Sequence, residues 1–126
     1  MTGDNRARIT PVVHPCGLRL GGEIDRASRP RLAGALAWAV ATCQCDVRLD
    51  LGKLDFIDAG GVRLIIDAAA GLPPPRRLIL DPVPALARRL LRLLGWQVGV
   101  DNHLRPAVNG HARPGPRDAS PPEPTR

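Results

Sequence analysis

With 126 residues the chain is long enough for one domain of ordinary size and too short for two. Aromatic residues make up 2%, only Trp38, Phe56 and Trp96, so the core is aliphatic and a base-stacking platform for single-stranded nucleic acid is excluded. The net charge of +6 comes from 18 Lys+Arg against 12 Asp+Glu, with Lys53 the single lysine, and acts on solubility and non-specific attraction rather than on fold.

Residues 1–8 carry no apolar pattern. From Pro106 to Arg126 there are six prolines and two glycines with almost nothing apolar, a composition that cannot offset its own ordering entropy. The sequence therefore predicts a disordered N-terminus at 1–8, a domain at 9–104 and a disordered Pro-rich tail at 105–126.

Ile9 to Val13 and Leu18 to Gly22 are short extended runs separated by Pro15 and Gly17, which predicts a hairpin. A helix follows, with Ser28 as N-cap, Pro30 in its first turn, and Leu32, Leu36 and Val40 recurring on one face. Val47 to Leu51 reads as a strand. Asp58 can cap a second helix from Val62 to Ala70, in which Val62, Ile65, Ile66 and Ala69 hold the 3.6-residue period; Gly71 and Pro73 to Pro75 stop it. Leu78 to Leu80 is a short buried strand. The third helix runs from about Val83 to Leu94, with Leu86, Leu90 and Leu93 facing inward and Arg88, Arg89 and Arg92 outward, and Gly95 stands where a left-handed C-cap is wanted. Gln97 to Val100 reads as a final edge strand. Helices that alternate with strands from the second strand onward imply parallel neighbours joined by crossover helices.

No apolar run reaches the ~18 residues of a membrane span, and Met1 to Arg6 lacks the apolar centre of a secretory signal, so the sequence predicts a cytoplasmic protein without membrane insertion. Cys16, Cys43 and Cys45 are an odd set, which in that compartment predicts free thiols. The single residue between Cys43 and Cys45 is shorter than the usual spacing of paired zinc thiolates, so no metal or other cofactor is expected, with or without His14 or His103. The carboxylates Asp50, Asp55, Asp58 and Asp67 have no histidine near them in sequence and no phosphate-binding glycine loop; Asp67 is placed to pair with Arg63 at i,i+4. The expectation is a protein that is not an enzyme.

Gly22-Glu23-Ile24-Asp25, then Leu49-Asp50-Leu51 through Phe56-Ile57-Asp58-Ala59-Gly60-Gly61-Val62, then Leu78-Ile79-Leu80 and Leu90 to Gly95, follow in order. Together they resemble the STAS domain family of bacterial anti-sigma factor antagonists over about residues 9–100. The resemblance implies an α/β fold with a mixed four- to five-stranded sheet and helices packed mainly on one side. It also implies a partner, an anti-sigma factor of the kinase type, whose capture releases a sigma factor and promotes transcription. In the antagonists the segment after the central strand reads Asp-Ser-(Ser/Thr)-Gly, and the serine is phosphorylated to end the interaction. Here Asp58 and Gly61 match, but Ala59 stands at the serine position and Gly60 follows. Alanine has no hydroxyl, so phosphoryl transfer at that position is chemically impossible. The partner-binding residues implied are Asp25, Arg26, Ser28, Asp58, Ala59, Gly60, Gly61 and Arg63. Two other roles are compatible with the sequence: a STAS-type accessory subunit of a membrane transport complex, and a nucleic-acid-associated protein acting through a basic patch from Arg76 and Arg77 to Arg88, Arg89 and Arg92.

Overall fold

The computed structural model describes residues 7–107. Strands β1 (Ala7–Val12) and β2 (Gly17–Ile24) form the expected antiparallel hairpin, and a 3-10 turn (Arg26–Ser28) leads into α1 (Arg29–Thr42). β3 (Val47–Ile57), α2 (Ala59–Gly71), β4 (Leu78–Leu80) and α3 (Ala85–Leu93) follow, and β5 (Trp96–Val98) and β6 (Leu104–Pro106) end the described chain. The main sheet has the order β1-β2-β3-β4, with β2, β3 and β4 parallel. Each parallel step is spanned by a helix, α1 between β2 and β3 and α2 between β3 and β4, as parallel pairing requires. This is a mixed α/β fold, in agreement with the expected class.

The core is aliphatic. Leu18, Leu20 and Ile24 of β2, Val47, Leu49, Leu51 and Ile57 of β3, and Leu78 and Leu80 of β4 are all at most 1% exposed. Leu32, Leu36 and Ala39 of α1 and Val62, Ile65 and Ile66 of α2 bury against the same cluster. The other face of the sheet is polar: Arg19 pairs with Asp50 at 3.6 Å and Arg48 with Asp81 at 3.3 Å. Two bulge-like register shifts in the β2–β3 pairing, between Arg19 and Gly21 and between Gly22 and Glu23, keep the inward set on the core side along the eleven residues of β3.

Several elements differ from the sequence reading. β1 begins at Ala7, so Ala7 and Arg8 are paired rather than disordered, and Arg105 and Pro106 belong to β6; the rest of the segments 1–8 and 105–126, apart from Ala107, lies outside the described residues. β3 continues six residues past Leu51, which places Asp50 within the strand, and Asp58 caps α2 directly at its start. β5 pairs antiparallel with β6 in a separate two-stranded sheet, tied to β4 through an isolated bridge between Ile79 and His103 and the Leu80 N–H, which donates to the Asn102 carbonyl at 2.9 Å. No ion pair joins Arg63 to Asp67.

The phase of α3 is a correction. Ala87 and Leu91 face the core and Leu90 packs half-buried against it as expected, while Leu86 is 37% and Leu93 75% exposed. Leucines at 86, 90 and 93 and apolar residues at 87, 91 and 94 both have helical spacing, so the period determines the helix but not its rotation; the small Ala87 lets α3 approach the end of β3. Gly95, at φ +85°, closes the helix as expected.

The cysteine expectation is also overturned. Cys16, just before β2, and Cys43, the C-cap residue of α1, form a disulfide with Cα atoms 5.7 Å apart, and Cys45 alone stays free and exposed. The Arg48 N–H donates to the Cys16 carbonyl at 3.0 Å, which holds Cys16 at the edge where α1 delivers Cys43. Arg76 seals the same corner by donating to the carbonyls of Val40, Cys43 and Cys45, and Arg77 pairs with Asp46 and Asp101. Arg77 is thus paired with acids, while the carbonyls that hold Arg76 leave its charge in place.

With a sequence separation of 27, closing the disulfide loop removes unfolded-state entropy worth about 3–4 kcal/mol. Reduction, or the paired change Cys16→Ser with Cys43→Ser, is expected to lower the urea midpoint accordingly. Identical unfolding curves with and without reductant would mean that the bond does not constrain the chain.

Candidate docking surface at the start of α2

The parallel pairing of β2 with β3 ends at Ile24 opposite Ile57, and the Asp58 N–H donates to the Ile24 carbonyl at 3.1 Å. The turn that follows β2 and the first turn of α2 therefore emerge side by side. The Asp25–Ser28 turn is self-contained: the Asp25 N–H donates to Ser28 Oγ at 3.0 Å, and the Ala27 N–H donates to Asp25 Oδ1 at 3.1 Å. This is a reciprocal capping box. Ser28 does occupy the N-cap position of α1, but its hydroxyl makes no cap bond there and serves the preceding turn instead.

Asp58 joins two elements. Its Oδ1 accepts from the Gly61 N–H at 2.8 Å and caps α2, while its Oδ2 accepts from Arg29 Nη2 at 2.9 Å. Arg29, at the start of α1, lies across Gly60, where a Cβ would fall on the guanidinium. Gly61 is buried against the side chains of Ile57 and Ile24, which an added Cβ would meet at 2.9 and 3.0 Å. Burial pushes the Asp58 carboxyl upward, but the Arg29 hydrogen bond and charge and the Gly61 N–H outweigh it and hold it below the usual carboxylate range.

Of the eight residues singled out from the sequence, Arg26, Ala59 and Arg63 are exposed, with Ala59 and Arg63 one turn apart on α2. Asp25, Asp58 and Gly60 are half-buried beside them, and Ser28 and Gly61 are buried and shape the surface from beneath. Arg29 was not singled out, because its link to Asp58 spans 29 positions and leaves no local signal. The result is a shallow surface with Ala59 and Gly60 at its centre and Arg26, Arg29 and Arg63 around it. No exposed hydroxyl lies at its centre. His14 lies in the β1–β2 turn at the opposite end of β2, and His103 is tied to Ile79 near the start of β3, so neither reaches it. Among the described residues no group of three or more His, Cys, Asp or Glu could hold a metal ion, and no helix is long and apolar enough to cross a membrane.

The lowered carboxyl makes a signed prediction. Stability from the charged Asp58 is full above the ordinary carboxylate value of about 4 and is lost as pH falls through the lower folded value. Asp58→Ala is expected to cost about 1 kcal/mol near neutrality. Asp58→Asn keeps a cap and costs less, and its difference from the parent vanishes at low pH. Gly60→Ala displaces Arg29, so the Asp58 carboxyl should titrate closer to the ordinary range by carbon-detected NMR. An unmoved titration would remove Arg29 from this account.

Residues 8–106 match the family model described as Mlab, STAS domain. No curated protein matches the chain. Among solved structures, the anti-sigma factor antagonist SpoIIAA in its unphosphorylated form is similar in outline, at 23% identity and a TM-score of 0.47, with 69% of this chain and 82% of that chain covered.

Proposed function

The chain belongs to the STAS domain family, and from that premise we propose that it is a non-enzymatic, protein-binding regulator that antagonises a kinase-type anti-sigma factor and so frees a sigma factor. The observation that carries this reading is the shallow surface at the start of α2, where Ala59 is exposed and Gly60 lies beneath Arg29. Such a surface can receive another backbone closely, and it has charged groups at its rim to orient a partner. It offers no side chain arranged for acid–base or nucleophilic chemistry.

Ala59 keeps this surface permanently in the uncharged form. A phosphate there would add roughly −1.5 to −2 charge at the start of a helix, which the helix tolerates and a docked partner does not. The regulator is therefore constitutive, released by competition or by dilution of its partner rather than by modification. Its interface set is Asp25, Arg26, Asp58, Ala59, Gly60 and Arg63, supported from beneath by Ser28 and Gly61.

Calorimetric titration of the full chain against kinase-type anti-sigma factors tests the proposal, with Ala59→Asp as the comparison. Binding that the variant weakens at least about tenfold supports docking at this surface. No binding to any of them, or equal binding by the variant, would overturn it. The missing hydroxyl equally favours a second reading, an accessory subunit of a membrane transport complex, for which no phosphorylation control is needed. Stoichiometric co-purification with a transport ATPase, lost in Ala59→Asp, would decide for it.

We place this regulator in the cytoplasm, where its proposed partner acts. Disulfides are rare there, so the Cys16–Cys43 pair is expected to exchange with the thiol pool. Acid-quenched cells alkylated before lysis should yield chain labelled at Cys16, Cys43 and Cys45. Label on Cys45 alone would place the protein in an oxidising compartment and exclude this reading.

A further inference from the structure

We propose that the outer face of α3, together with Phe56 at the end of β3, is a second docking surface, separate from the start of α2, and that it receives an acidic amphipathic helix of a partner protein. α3 buries Ala87 and Leu91 and turns Leu86 and Leu93 outward. Leu86 and Leu93, at positions i and i+7, are 37% and 75% exposed, and Phe56, beside Leu86, is 43% exposed. Leu86 and Phe56 border a small cleft of about 20 Å³ that also touches Pro84, a dimple the size of a single methyl-bearing contact. Exposed single leucines are ordinary; here two stand on the same side of one short helix, with a phenylalanine beside the first and the half-buried Leu90 between them.

The charge around these side chains selects the partner. Arg88, Arg89 and Arg92 are exposed, and no hydrogen bond or ion pair engages their guanidinium groups among the described residues. Arg29, Arg76 and Arg77 are by contrast engaged by Asp58, by backbone carbonyls and by Asp46 and Asp101, while Arg26 and Arg63, unengaged among the described residues, lie apart at the start of α2. The nine residues of α3 contain no acid. A helix with an apolar stripe flanked by glutamates or aspartates satisfies both halves of this surface, leucine on leucine and carboxylate on guanidinium.

Three other occupants fit less well. A nucleic-acid backbone satisfies the arginines but leaves Leu86, Leu93 and Phe56 against phosphate. On an anionic lipid surface only two leucines of α3 could insert, since the helix's other apolar side faces the core. A second copy of the chain brings the same three unpaired cations and is repelled.

The test uses the isotopically labelled full chain and three probes: a helical peptide of about 18 residues with leucines at i, i+3, i+4 and i+7 flanked by glutamates, vesicles of phosphatidylglycerol and phosphatidylcholine, and a short DNA duplex. The peptide is expected to shift amides of α3 and of residues 54–56 and to bind more weakly as salt rises. Replacing Arg88, Arg89 and Arg92 by Gln should weaken it at least about tenfold, and Leu93→Ser should do so severalfold. Both variants alter exposed side chains and are expected to melt with the parent; if the triple variant does not, Leu93→Ser carries the test. Ala59→Asp should leave peptide binding unchanged, which separates this surface from the proposed interface at α2. Absence of peptide shifts, equal binding by the variants, or shifts caused by vesicles or duplex but not by the peptide would overturn the proposal.

Discussion

The carboxylate of Asp58 holds the candidate site together because its two oxygens serve different elements. One closes the open N–H of Gly61 and so determines where α2 begins. The other holds Arg29 from the start of α1. An N-cap alone would anchor a helix to its own preceding residue. Here the same group also ties the first helix to the second, 29 positions away, so the surface between them has one arrangement. Gly60 completes the device by offering no Cβ under the guanidinium.

That arrangement rests in turn on the sheet. Ile24 and Ile57 are paired at the ends of two parallel strands, both at most 1% exposed, and Gly61 packs onto them. Parallel pairing brings the carboxyl ends of β2 and β3 to the same edge, which is why two turns far apart in sequence share one surface. The far end of the same strands is tied by other means, with Cys16 bonded to Cys43 and Arg76 gathering three carbonyls at the end of α1. One edge of the sheet is thus closed covalently, while the other carries the exposed surface.

Much of this architecture was legible in the sequence, for identifiable reasons. Asp58 before an apolar 3.6-residue period announced α2, Gly95 announced the end of α3, and Leu78 to Leu80 were apolar without interruption because β4 is buried throughout. What escaped the reading was either non-local or degenerate. The Cys16–Cys43 bond and the Arg29–Asp58 pair each join distant positions without a motif between them. The rotation of α3 was ambiguous because its leucines satisfy two rows at once, and β6 was hidden because it ends in Pro106, where a proline-rich composition begins. At the candidate site, the residues around Ala59 were visible as a cluster, but which of them face outward depended on Ser28 turning back to Asp25.

The glycine at 60 and the arginine at 29 also constrain how this chain can change. A side chain at 59 projects from an exposed position and meets little resistance, so a hydroxyl there is one substitution away and sterically free. At 60 any side chain must first evict Arg29, which frees a cation and leaves Asp58 with its helix bond alone. Two adjacent positions in the same helical turn therefore differ in evolvability: a change at 59 leaves the Arg29–Asp58 pair intact, whereas a change at 60 is made at the expense of that pair.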